Sequence, residues 1–291
     1  MLSFKKGVPI ARIDNKIIHL RIYDNIYKYL SKEYKNKIKK LSPKDKKKLL
    51  SSLKNNLEPL EHNLKKLFQD GITDLNDPSG FNKLETKRKI QVLPRDDLVE
   101  KIYVSGVSGS GKSTYIGHYI KEFKKIFKKD EIFIFSSVNE DKAFDKYNPI
   151  RIPIDETLIT EPFIITDFEE SLSIFDDTDT IRNKEYRNIV NGIKAEIIEI
   201  GRHYESRIIV SSHMISNFHQ TRQILNECTS ITFFPKASGV YHIKNYLKTN
   251  AGLDKNQIER VLKLNSRWVT IYRTYPSYIV WERGISIMAE F

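Results

Sequence analysis

From about Asp97 to residue 240 the chain predicts an α/β fold, a parallel sheet covered by helices on both faces. Short runs too apolar to face water recur at 101–105, 131–136, 171–175, 207–211 and 230–234. Helical stretches alternate with them at 112–127, 184–200 and 215–226. A strand buried on both faces reads as a continuous apolar run, and strand–helix alternation is the mark of parallel strands joined by crossovers. The first strand-to-helix passage is also a glycine-rich octapeptide, the kind of turn that cradles phosphate.

The flanks are of another texture. Residues 8–22 predict a β-hairpin, with Val8, Ile10 and Ile13 before the turn-prone pair Asp14-Asn15 and Ile17, Ile18, Leu20 and Ile22 after it. Ser42-Pro43-Lys44-Asp45 opens a helix, with serine as N-cap and proline in the first turn. That helix carries Leu49, Leu53, Leu57, Leu60, Leu64 and Phe68, with Pro59 bending it and Gly71 stopping it. The turn-rich stretch 71–82 reads as a linker. Past Pro235 a helix opens at Asp254-x-x-Gln257, followed by strand-like runs at 268–272 and 278–281. The aromatics Trp268, Tyr272, Tyr275, Tyr278 and Trp281 read as core rather than as platforms for bases. The expected organisation is a basic N-terminal region with linker (1–95), a core (96–240) and a C-terminal helix-and-strand extension (241–291).

Charge is unevenly placed. The 291 residues carry a net charge of +12, and residues 1–70 hold 18 Lys and Arg against 7 Asp and Glu, leaving 31 against 30 for the rest. A basic segment beside a neutral core is either a footprint for an acidic partner such as nucleic acid or a solvated lysine-rich helix. A single cysteine, Cys228, excludes a disulfide framework and fits a reducing compartment. No apolar run is long enough to span a bilayer, and the first residues lack a signal-peptide h-region, so an intracellular protein is expected.

Gly106-Val107-Ser108-Gly109-Ser110-Gly111-Lys112-Ser113 matches G-x-x-x-x-G-K-[ST] in full. An apolar strand, Ile102-Tyr103-Val104, runs in, and a helix with Tyr115, Ile116 and Tyr119 runs out, with Thr114 in its first turn. The glycines let backbone N–H groups turn inward to a β-phosphate. Lys112 reaches the β- and γ-oxygens, and the Ser113 hydroxyl ligates magnesium. ATP and Mg2+ are therefore the expected ligands. Such a loop needs an acid at the end of a buried strand, and Leu172-Ser173-Ile174-Phe175-Asp176-Asp177 supplies one. Asp176 is the expected magnesium partner. Asp177 stands where glutamate is usual and is placed to orient or deprotonate a water. In chain order the run 131–135 lies between loop and acid, an insertion typical of the additional-strand ATPases, RecA-like and AAA+ included. His203, His213, His219 and Cys228 have no zinc-ligand spacing.

A second stretch narrows the class. Gly201-Arg202-His203-Tyr204-Glu205-Ser206-Arg207-Ile208-Ile209-Val210-Ser211-Ser212-His213 resembles the FtsK/HerA-type DNA pumps, in which an arginine precedes an apolar strand ending in a small-small-Gln sensor. His213 stands where that family has glutamine. Residues 222–234 look like its next helix-to-strand passage. With the Phe-Asp-Asp motif, the chain resembles the DNA-packaging ATPases of large nucleocytoplasmic DNA viruses, over about 102–234. The resemblance implies a P-loop NTPase core of additional-strand, RecA-like type. It also implies a self-associating ring, expected to be a hexamer, that pumps double-stranded DNA into a capsid, so capsid proteins join DNA as partners. Its place is then the host cytoplasm or the virion. It implies that His213 senses the γ-phosphate or the lytic water and that an arginine finger comes from a neighbouring subunit, Arg202 first and Arg222 second. As a plain helix-end cation, Arg202 has a second reading. Alternatives are an AAA+ or helicase-like remodeller, a small-molecule P-loop kinase, or a nucleotide-gated scaffold that no longer hydrolyses. No LSGGQ signature points to a transporter ATPase.

Overall fold

The computed structural model describes residues 1–5, 7–20, 42, 44, 82–215, 221–288 and 291. The leucine-bearing helix expected after Ser42, the linker of 71–81, and Ile22 and His219 lie outside the described residues.

The described strands are β1 (Leu2–Ser3), β2 (Val8–Ile13), β3 (Lys16–Leu20), β4 (Lys83–Glu85), β5 (Ile90–Val92), β6 (Lys101–Ser105), β7 (Glu131–Ser136), β8 (Ile150–Ile152), β9 (Ser171–Asp176), β10 (Arg207–Ser212), β11 (Ser230–Phe233), β12 (Val269–Tyr272), β13 (Tyr278–Trp281) and β14 (Gly284–Ile287). The described α-helices are α1 (Lys112–Ile126), α2 (Lys142–Asp145), α3 (Thr157–Thr160), α4 (Lys184–Ile200), α5 (Arg222–Glu227), α6 (Val240–Thr249) and α7 (Lys255–Lys263). The expected hairpin is β2–β3, turning at Asp14 in the left-handed region.

Ten strands form one sheet in the order β4-β14-β13-β12-β11-β6-β10-β9-β7-β8. From β11 to β8 all neighbours are parallel. From β11 to β4 all are antiparallel. The sheet is thus mixed, and β12, β13 and β14 form a meander whose connections are too short for a parallel crossover, only Glu282-Arg283 separating β13 from β14. In chain order β7 lies between loop and acid, but in the sheet β10 separates β6 from β9, and β7 lies beyond β9.

Both faces of the sheet are covered. One face (Tyr103, Phe175, Ile208, Val210, Ile231, Phe233) packs on α4, α5, α6 and α7 through Val190, Ile197, Leu225, Ile243, Leu247 and Val261. The other (Ile102, Val104, Ile134, Ile174, Ile209) packs on α1 through Ile116, Ile120 and Phe123. The small sheet β1-β3-β2-β5 packs against one flank of α1, joining the same core through Ile10, Ile18, Ile90 and Val92. Its Arg12 pairs with Glu122, an acid only 2% exposed.

Three expectations need correction. The helix expected over 215–226 is described over Arg222–Glu227, residues 216–220 lying outside the described residues, and the chain leaving β10 at Met214 is pinned to the sheet edge. There the Met214 N–H donates to Ser212 Oγ at 3.4 Å, and the Met214 carbonyl accepts from the Tyr103 hydroxyl at 2.5 Å. Helix α6 and strand β14 were not expected at all. Tyr272, Tyr278 and Trp281 are core, but Trp268 is half-buried and Tyr275 exposed. Among the described residues no helix is long and apolar enough to cross a membrane.

Candidate functional site

The carboxyl ends of the six parallel strands meet at one edge, where ligands sit in open α/β sheets. Register aligns Ser105 with Ser212 across β6 and β10, and Ser211 with Asp176 across β10 and β9. The octapeptide leaves this edge between β6 and α1. Its first residue is tied to the neighbouring strand by a 3.0 Å bond from the Gly106 N–H to the Ser212 carbonyl.

The loop's sequence follows from its shape. Gly109 and Gly111 hold φ of +75° and +105°, which only glycine adopts freely. A Cβ on Gly106 would lie 2.5 Å from Ser110 Oγ and 2.7 Å from the Phe234 ring. Phe234, 2% exposed, is thus the floor of the loop. Above it, Ser110 Oγ is buried without a hydrogen-bond partner among the described residues. Helix α1 begins at Lys112 with no side-chain cap, so its first-turn amides and positive dipole end face the loop's concavity. An uncapped helix start, left-handed glycines and an unpaired hydroxyl together suit a phosphate chain.

Four side chains converge at that concavity. Lys112, 6% exposed, donates to the Gly106 carbonyl at 2.9 Å. Its Nζ is also 3.4 Å from His213 Nδ1 and 3.5 Å from an Asp177 oxygen. That same Asp177 oxygen lies 3.2 Å from His213 Nε2. Asp176 is buried at the end of β9, and the Ser211 hydroxyl donates to it at 2.6 Å. The Ser211 oxygen in turn accepts from the Asp177 N–H at 3.2 Å. One hydroxyl on β10 therefore sets the positions of both acids. Asp177 takes φ of +47°, a left-handed conformation aspartate tolerates, and this turns its carboxylate from the strand line toward Lys112 and His213.

Burial pushes the Asp176 carboxyl above its usual range. The Ser211 hydrogen bond works against that, Asp177 adds to it, and Lys112 opposes it. A second link runs from Ser212 Oγ to Asp179 at 3.1 Å, tying the turn after Asp177 to the tip of β10. Behind it, a polar cavity of about 220 Å³ lies between α4, α5 and β10, lined by Asp179, Arg187, Lys194 and Ser212 among others.

Lys112, Asp176, Asp177 and His213 are therefore brought together around the loop of residues 106–113, with Ser113 and Thr114 opening α1. Arg202 is not among them. It is exposed in the turn before β10, where the Tyr204 carbonyl accepts from the Glu170 N–H at the start of β9. The five steps of β10 alone set it about 17 Å from the site edge. Arg222 begins α5 on the site side, next to Thr221 and Gln223 of the polar cavity. Sequence reasoning passed over Ser211 and Phe234 as site residues. The small-small-His strand tip was a signal for the first, while the second needs the loop's three-dimensional floor.

No protein-family model matches the chain. It is 46% identical over 187 residues to the uncharacterized protein V3 of Sputnik virophage, an alignment covering 64% of this chain and 76% of V3. The chain belongs to the V3 family. Among solved structures, this V3-family chain is similar to the genome packaging NTPase B204 of Sulfolobus turreted icosahedral virus 2 in complex with AMPPCP, at 12% identity and a TM-score of 0.43, covering 63% of this chain and 97% of that one. The conjugation coupling protein TcpA of pCW3 is similar at 10% identity and a TM-score of 0.46, over 72% of this chain and 67% of TcpA. At these scores the likeness is general, and the functional reading rests on the residues of the site.

Proposed function

We propose that the chain is an Mg-dependent ATPase that drives double-stranded DNA into a capsid. The observation that carries the ATPase part is the meeting of Lys112, Asp177 and His213 within 3.5 Å of one another at the mouth of a complete phosphate loop. The DNA part is supported by the resemblance of residues 201–213 and of Phe175-Asp176-Asp177 to the FtsK/HerA-type pumps. Self-association into a ring, with six subunits expected, contact with capsid proteins and a place in the host cytoplasm or virion belong to the same proposal. So does the division into a basic region (1–95), a motor core (96–240) and an extension (241–291).

The residues divide the work as follows. Backbone amides from Gly106 to Thr114 hold the phosphates, and Lys112 exchanges its bond to the Gly106 carbonyl for phosphate oxygens. Ser113 and Asp176 would hold Mg2+, which would supply neutralisation of phosphate charge. The fit is electrostatic as well as geometric, since a buried carboxylate beside a second acid is costly to ionise and a divalent cation relieves that cost. Asp177 orients and deprotonates the attacking water. Its shorter arm is offset by the left-handed turn that carries it toward Lys112. His213, tied through Ser212 to Gly106, links the phosphate site to β10 and the chain beyond it.

ATP-dependent displacement of a third strand from the end of a long duplex tests the motor. Displacement by the wild type and none by Lys112→Ala supports it. Hydrolysis without displacement would favour a remodeller, and transfer of phosphate to a small acceptor a kinase.

A further inference from the structure

The near balance of charge outside residues 1–70 conceals a segregation in space. Residues 121–129 of α1 and its following turn hold five lysines and one acid. That acid, Glu122, is buried and turned inward, paired with Arg12 and Lys125 and accepting from Gln91 at 3.3 Å. The lysines Lys121, Lys124, Lys128 and Lys129 face solvent.

Neighbouring elements add to the same face. The Gln91–Glu122 contact lays β5, and the exposed Lys87-Arg88-Lys89 turn before it, along one flank of α1. On the other flank Lys124 donates to the Tyr147 carbonyl, which brings exposed Lys146 alongside. Near the first turn, Trp268 packs edge-on against Tyr115 with ring centroids 5.2 Å apart, so Arg267 borders the same surface. His118 lies in the middle of this face. Its pKa is lowered by burial first and then by Lys146, Lys121, Lys89 and Arg267, cations from four separate segments. Of these four, only Arg267 has an ion pair among the described residues, with Glu282.

We propose that this outer face of α1 holds duplex DNA by its phosphates, an assignment that rests on the DNA-motor reading above. A stripe of cations along a 15-residue helix, about 22 Å long, matches a linear polyanion better than a single phosphate group. Tyr147, Trp268 and Phe127, the aromatics along it, are half-buried, so it offers no open platform for unstacked bases and suits the backbone of a duplex. The surface lies on the helix that begins at the phosphate loop, so the DNA grip and the nucleotide share one rigid element.

The test is anisotropy of a labelled 30-base-pair duplex on the full chain across a salt series, with DNA-stimulated ATP turnover read on the same samples. The variant is Lys89→Gln with Lys121→Gln and Lys146→Gln, and the control is the same three positions as arginine. Three lost phosphate contacts flatten the log-affinity against log-salt slope by about 2.7, a difference of about 40-fold in affinity change between 50 and 200 mM salt. That flattening in the glutamine variant, with wild-type melting temperature and with the arginine variant unaltered, is the expected result. Unaltered slope and turnover in the glutamine variant overturn the surface and leave the motor standing. A wild type that binds no duplex overturns both. Equal binding of polyglutamate and duplex overturns the DNA assignment in favour of an acidic protein partner.

Discussion

The imidazole Nε2 of His213 lies 3.2 Å from an Asp177 oxygen, although 36 residues separate them in the chain. The contact joins the end of the acid strand to the tip of the strand beside it, so a group held by the loop faces both side chains together. Asp177→Asn keeps the shape and removes the base. It is expected to lower ATP turnover by about 10²- to 10⁴-fold while leaving binding of a non-hydrolysable analogue close to wild type, as checked by steady-state kinetics and equilibrium titration.

His213 has a separable role. Replacing it by alanine removes a donor from the site and is expected to cost about 100-fold in turnover. Replacement by glutamine keeps a donor, so the glutamine variant should retain more activity than the alanine variant. Steady-state turnover of the three proteins checks both statements.

The floor of the loop gives a stability prediction. Gly106→Ala drives a methyl to 2.7 Å from the Phe234 ring and should abolish nucleotide binding. Phe234→Leu alone leaves a partial cavity and should cost about 1–3 kcal/mol in urea unfolding. Combining the two should recover part of the binding lost in Gly106→Ala, because the shorter side chain makes room for the methyl. Additive loss would show that the clash with Ser110 Oγ, 2.5 Å from the same methyl, decides the outcome.

The central strands were legible because burial on both faces leaves no polar alternation to confuse them. Ile102-Tyr103-Val104 and Leu172-Ser173-Ile174-Phe175 are such runs. Among the missed strands, β4, β5 and β8 are three residues each, too short to show a period. Helix α6 was hidden by its small apolar stripe, Ile243, Tyr246 and Leu247, on an otherwise polar segment. Loop and acids were legible from spacing alone. Ser211's bridge between them was not, since it depends on the register of β10 against β9, which no local pattern encodes.

Glu100, wholly buried beneath β6, makes stability depend on pH. It accepts from the Tyr119 hydroxyl at 2.5 Å and the Arg95 N–H at 2.9 Å, and burial pushes its carboxyl up to about 7. The folded protein therefore holds a proton that the unfolded chain releases near its ordinary value of 4.5. Stability from this group is fully present below about 4.5, falls as pH rises, and is gone above about 7. Glu100→Gln keeps one side-chain oxygen, enough to accept both bonds that now share a single Glu100 oxygen, and should flatten that dependence. Thermal melts at pH 5 and pH 8 should differ less in the variant than in the wild type.

The finger is proposed to come from a neighbouring subunit, with Arg202 the first candidate and Arg222, at the start of α5, the second. A finger acts on the neighbour's site, so distance from the loop of its own chain does not rank the two. Mixing Arg202→Ala subunits with Lys112→Ala subunits should restore part of the turnover each lacks alone, and mixtures with Arg222→Ala in its place check the order.

The most direct measurement is steady-state ATP turnover with and without long duplex DNA, on the wild type, Lys112→Ala and Asp177→Asn. Duplex should raise wild-type turnover, and both substitutions should remove the basal and the stimulated rate alike. Turnover indifferent to duplex, or surviving in Asp177→Asn, would contradict a DNA motor built on this site.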